Sequence, residues 1–122
     1  MTIGSKSQRK GRVAERELAA IFRANGMPAE PGAPESFGSS PDVTGVRGIH
    51  VECKRCEQLR LSEWVHQSEM DSQKFGDGLP CVFHRKSRES WLATMPMESW
   101  LQLYLRAMSC KCNGDCKKDA GT

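Results

Sequence analysis

The stretch Pro41-Asp42-Val43-Thr44-Gly45-Val46-Arg47-Gly48-Ile49-His50-Val51-Glu52-Cys53-Lys54 decides how this chain folds. It holds two strand-like pieces, 42–46 and 48–54, joined by a tight turn near Arg47-Gly48. In the second piece Ile49, Val51 and Cys53 alternate with His50, Glu52 and Lys54. A period of two sends the two sets to opposite faces of a sheet. Glu52 and Lys54 therefore point the same way, about 6–7 Å apart along the strand. A hairpin around the turn brings Asp42 and Glu52 to one end of the sheet. Two close carboxylates repel, which raises the proton affinity of one of them unless a cation lies between. A divalent, oxygen-loving ion is the natural solution, and magnesium takes one or two carboxylates while keeping several waters. Lys54, on the same face, suits the stabilisation of charge on a phosphate or the placement of an attacking water.

Upstream, the spacing of Ala14, Leu18, Ile21 and Phe22 predicts a helix over 11–25, with Gly26 placed to cap it. Glu15 falls at the edge of the buried face of that helix, a third carboxylate near the strand pair. Residues 1–10 lack a periodic apolar pattern and read as a flexible basic arm ahead of a single domain over 11–108. Between Met1 and Arg23 stand Lys6, Arg9, Lys10, Arg12, Arg16 and Arg23 against Glu15 and Glu17. Such a bias attracts phosphate through Coulomb forces and counterion release. Residues 27–40, rich in Pro, Gly and Ser, read as a long loop that includes a short edge strand.

Downstream, 61–75 reads as a helix with Ser62 as its N-cap, 80–84 and 90–95 as strands, and 97–108 as a helix opened by Pro96. Met97, Trp100, Leu101, Tyr104, Leu105 and Met108 line that last helix as an apolar stripe suited to a core or to a subunit interface. The order of elements predicts an α/β fold, a mixed β-sheet flanked by helices.

The chain has 122 residues, 38% apolar and 27% charged, with a formal charge of +3. That length suits one domain, and the apolar share excludes a disordered chain. No run of residues is long and apolar enough to span a membrane. The opening MTIGSKSQRKGR lacks the apolar core of a signal peptide, so a cytoplasmic protein is expected, in a bacterial or phage-infected cell. Reduced thiols follow from that expectation. The tail, 109–122, carries Cys110, Cys112 and Cys116 without a fourth ligand nearby, whereas structural zinc usually takes four. His50, His66 and His84 show no ligand spacing, although His50 shares the face of Glu52 and Lys54.

Pro-Asp followed by Glu-x-Lys on the next strand resembles the signature of the PD-(D/E)XK nuclease superfamily. Arg9-Lys10-Gly11 with Ala14-Glu15-Arg16-Glu17-Leu18 resembles the opening of the archaeal-type Holliday junction resolvases. The likeness continues through Gly38-Ser39-Ser40-Pro41-Asp42-Val43 and Ile49-His50-Val51-Glu52-Cys53-Lys54. The later elements look more like phage-borne relatives.

The resemblance implies a restriction-endonuclease-like core and a homodimer that binds four-way DNA junctions and nicks two strands symmetrically. It implies magnesium as cofactor, with manganese able to substitute. Glu15, Asp42 and Glu52 are then acidic metal-site residues, joined by the backbone carbonyl of Cys53, and Lys54 is the catalytic lysine. Arg9, Lys10, Arg16, Ser39 and Arg55 become DNA contacts. Gln67 sits where some superfamily members turn a Gln toward the metal, although an exposed helix Gln is the plainer reading. Other readings stay open: a nuclease of the same fold acting on duplex or flap DNA, a non-catalytic DNA-binding module, or a small metal or redox protein built on the cysteines.

Overall fold

The computed structural model describes residues 2–32 and 41–110, with side chains for 11–32 and 41–109. Helix α1, Thr2–Ala24, is followed by β1, Glu30–Pro31, β2, Val43–Thr44, and β3, Ile49–Arg55. Helix α2, Leu61–Phe75, leads to β4, Leu79–Arg85, then β5, Leu92–Thr94, and helix α3, Met97–Cys110. The five strands form one sheet in the order β1-β2-β3-β4-β5. Pairing is antiparallel except between β3 and β4, which run parallel. Parallel neighbours need a crossover, and α2 supplies it. The α/β expectation of a mixed sheet flanked by helices is met.

The β2–β3 hairpin forms about the predicted turn, with Val43 opposite Val51. That register sets Asp42, just ahead of β2, beside Glu52. Strand alternation then divides the interior in two. On one face Val51 and Cys53 meet α1, whose Leu18, Ala19 and Phe22 build the core with Ala29 and Val43. The ring of Phe22 stands edge-on to Phe83 of β4, 5.2 Å between centroids. On the other face His50 stacks on Phe75 of α2, and Trp64 of α2 packs against His84. Each face of β3 is thus covered by one helix, so its register is strongly specified.

Three local expectations are corrected. Helix α1 starts at Thr2, so the 1–10 segment read as an arm is helical from its second residue. No proline interrupts that segment, and its Lys, Arg and Gln are good helix formers. Within α1, Ile21 is exposed, because Ala14, Leu18, Ala19 and Phe22 line the buried face and Ile21 falls at its edge. Helix α2 starts two residues ahead of the expected cap: Arg60 occupies the N-cap without a side-chain bond, and Ser62 lies inside the first turn. Its other end is as chemistry expects, with Gly76 at φ 61° donating its N–H to the Ser72 carbonyl.

Helix α3 leaves its apolar stripe uncovered by the rest of the described chain. Of its residues 97–109, only Ser99 is buried, while Met97, Trp100, Leu101, Leu103, Tyr104, Leu105 and Met108 are all exposed. Among the described residues, the stripe is not part of the core.

Candidate functional site

Glu15, Asp42, Glu52 and Lys54 come together where α1 crosses the end of the β2–β3 hairpin. Glu15 is half-buried on α1, one turn ahead of Leu18, and its carboxyl is within hydrogen-bond reach of Asp42. One Asp42 oxygen, Oδ2, accepts the Cys53 backbone N–H at 2.8 Å, which fixes its carboxylate against β3. Glu52 is buried, and its Oε2 lies 3.8 Å from the Lys54 Nζ. The shared face expected of Glu52 and Lys54 is therefore present.

The electrostatics follow from this crowding. Burial, and then the Asp42 carboxylate, push the Glu15 carboxyl up to about 7, while Arg12 pulls the other way. Burial, and then Glu52, push Asp42 up to about 6, opposed by the Cys53 amide, Lys54 and His50. Burial also raises the Cys53 thiol far above its ordinary value, with the three carboxylates adding to the shift. That side chain stays a neutral thiol facing the α1 core, so it offers no thiolate to a metal.

Three carboxylates converging with one lysine carry surplus negative charge, and their donor atoms are all oxygen. This set fits magnesium or manganese and is wrong for a soft ion. Without a cation the cluster must hold protons instead. Both raised carboxyls have ordinary values of 3.8 and 4.5. Their contribution to stability is complete below about pH 4 and is lost as pH rises through about 6–7. The metal-free protein is therefore expected to be less stable at pH 8 than at pH 5 by about 2 kcal/mol, after discounting the solvent-facing part of Glu15. Asp42→Asn should flatten this dependence, as read from urea midpoints across pH. A wild-type midpoint that rises from pH 5 to pH 8 would contradict the assignment.

His50 adds a feature that the sequence indicated only by its shared face. Fully buried, it bonds through Nδ1 to both Asp77 oxygens, at 2.9 and 3.0 Å, and through Nε2 to Glu52 Oε1 at 3.3 Å. Burial lowers its proton affinity, but the bonds to Glu52 and Asp77 outweigh that and raise it overall. His50, Glu52 and Asp71 also place ligand atoms within 4.8 Å of one another. Sequence reasoning missed both Asp71 and Asp77. The signal for Asp71 was present: Trp64, Ser68, Asp71, Ser72 and Phe75 follow helical spacing down one face of α2. Gln67, considered instead, is exposed.

Of the expected DNA contacts, the side chains of Arg16 and Arg55 are described. Arg16 is exposed on α1. Arg55 is already engaged, with Glu57 at 3.0 Å and the Ser87 hydroxyl at 3.2 Å. Arg9 and Lys10 lie on α1, but their side chains, together with Ser39, Cys112 and Cys116, are outside the described residues. Glu17 is structural: it accepts bonds from Arg85 at 3.4 Å and from the Trp91 indole at 3.3 Å, tying α1 to the far strands. The remaining cysteines of the described domain, Cys56 and Cys81, are free thiols like Cys53. No helix among the described residues is long and apolar enough to cross a membrane.

Among solved structures, the chain is similar to a resolvase. This is the 1.6 Å structure of Archaeoglobus fulgidus Hjc, a Holliday junction resolvase from an archaeal hyperthermophile. The two share 24% identity over 65% of this chain and 70% of that one, with a TM-score of 0.48. No protein-family model matches the chain, and no curated protein matches it.

Proposed function

We propose that this chain is a divalent-metal-dependent DNA endonuclease with a restriction-endonuclease-like core, and that it resolves four-way junctions by paired, symmetric nicks. The observation that carries the reading is the convergence of Glu15, Asp42 and Glu52 with Lys54 at one end of the hairpin. Magnesium would be held by Asp42, Glu52 and the Cys53 carbonyl, with Glu15 completing the acidic set. When bound, it would neutralise phosphodiester charge and acidify a water.

The chain's own residues do the rest. The Cys53 N–H holds Asp42 in place, so its carboxylate is pre-set rather than free to rotate. The Lys54 ammonium, close to Glu52, is positioned to meet the negative charge that builds on the phosphate during attack. Arg12 and Arg16 on α1 supply a basic approach to the polyanion, which makes binding salt-dependent.

The preference for junctions rests on the resemblance of 8–56 to the resolvases and on the need for two sites. Helix α3, 14 residues and about 21 Å long, exposes an apolar stripe in which Trp100 and Tyr104 stack at 5.1 Å. A second copy on a two-fold axis would cover the stripe and give two active sites to a two-fold substrate. Leu105→Glu is expected to yield a monomer in analytical ultracentrifugation. It should also turn paired junction cuts into single, uncoupled nicks, on a cruciform plasmid a shift from linear to nicked-circular product. A Leu105→Glu variant that stays dimeric and still linearises the plasmid would exclude α3 as the interface. Wild-type protein that cuts duplex as readily as junctions would move the function to a general nuclease.

A further inference from the structure

We propose that His50, Glu52 and Asp71 form a second divalent-cation site, selective for a first-row transition ion such as Mn2+, sharing Glu52 with the site proposed above. The geometry around His50 points there. Asp77 takes the Nδ1 side of the ring with both oxygens, at 2.9 and 3.0 Å. A carboxylate on one ring nitrogen is the usual partner of a metal-ligating histidine, because it fixes the tautomer and aims the other nitrogen. Here the other nitrogen, Nε2, is aimed at Glu52 Oε1, 3.3 Å away.

With Nδ1–H donated to Asp77, Nε2 presents a lone pair to a carboxylate oxygen. Two acceptors facing each other in a buried space need positive charge between them, either a proton or a metal ion. The spacing suits the ion. Ligands at about 2.0–2.2 Å from a metal and at right angles to each other lie about 3 Å apart. Asp71, half-buried on α2, offers a third atom within 4.8 Å of the other two, so a small side-chain rotation closes the set. One imidazole nitrogen and two carboxylates favour Mn2+ or Zn2+ over Mg2+, which prefers oxygen. The Asp42 and Glu15 set is all oxygen, so the two sites differ in ion preference as well as position.

The inference rests in part on the proposed function, because Glu52 belongs to both sites, and the test separates the two. Mn2+ bound per chain is counted by electron paramagnetic resonance for the purified full chain, wild type, Asp42→Asn and Asp71→Asn. Two ions are expected for wild type and one for each variant. The ion kept by Asp42→Asn should show nitrogen coupling from imidazole, and the ion kept by Asp71→Asn should not. Asp77→Asn should weaken the nitrogen-coupled ion about 10-fold or more while leaving the other unchanged. Asp71 is half-exposed, so its amide variant is expected to fold, and circular dichroism checks this.

A single wild-type ion that is lost with Asp42→Asn, untouched by Asp71→Asn and free of nitrogen coupling would overturn the second site and leave the proposed function standing. A single nitrogen-coupled ion lost with Asp71→Asn but kept by Asp42→Asn would support the second site and count against the first. Two ions in Asp71→Asn would overturn the inference outright.

Discussion

Asp42→Asn is expected to lower magnesium-dependent nicking by at least about a thousandfold, about 4 kcal/mol in the barrier, while junction binding persists or tightens. Asp42 stands at the centre of the carboxylate group, within reach of Glu15 and held by the Cys53 amide. The amide side chain keeps the volume and can still accept that N–H, so the fold should survive. What disappears is one negative charge that a cation needs and that repels a phosphate. Loss of cleavage together with intact or improved binding is the signature of a metal-site residue, because general damage to the protein would lower both. Glu52→Gln should behave the same way in cleavage. The check is single-turnover nicking of a labelled junction alongside a mobility-shift titration. Either variant cutting at the native rate would show that the metal site has been misplaced.

A second large effect is expected from Gly78→Ala. Gly78 has φ 136°, where side-chain-bearing residues are rarely found, and a Cβ there would run into the backbone of Gly48 and Ile49. Backbone cannot yield as a flexible side chain can. The Leu79 N–H also bonds to the Gly48 carbonyl at 2.9 Å, the contact that starts the parallel β3–β4 pairing. The substitution should lower stability by about 3 kcal/mol or more in urea denaturation. Gly26→Ala is the control: its φ is 90°, but nothing would touch the added Cβ, and about 1 kcal/mol is expected. Gly78 also follows Asp77, so the same close approach sets the loop that places Asp77 on His50. Equal midpoints for Gly78→Ala and wild type would mean that the β3–β4 junction is built differently.

The sequence was most legible where one strand carried two faces. Ile49, Val51 and Cys53 against His50, Glu52 and Lys54 is the period-two alternation of a strand with two unlike faces, and β3 is that strand. The hairpin followed from the turn between two short apolar pieces, and with it the nearness of Asp42 to Glu52. Asp71 was only faintly marked, and Asp77 not at all, for physical reasons. The inner face of α2 is marked by Trp64, Ser68 and Ser72, and two of those three are serines, so hydrophobic periodicity barely signals which side is buried. Asp77 acts on a residue 27 positions away, a contact set by the β3–β4 register and not by local pattern. The apolar stripe of α3 shows the converse limit. Periodicity identifies a face that wants covering but not whether the cover is the chain itself.

The most direct test of the central claim is cleavage of a labelled four-way junction beside linear duplex of matched sequence, each with magnesium and with chelator. Paired symmetric nicks on the junction alone, present with magnesium and absent with chelator, are the predicted result. Cutting that persists in chelator, or no cutting of either DNA despite tight binding, would contradict the assignment of Glu15, Asp42, Glu52 and Lys54 as a metal-dependent phosphodiesterase centre.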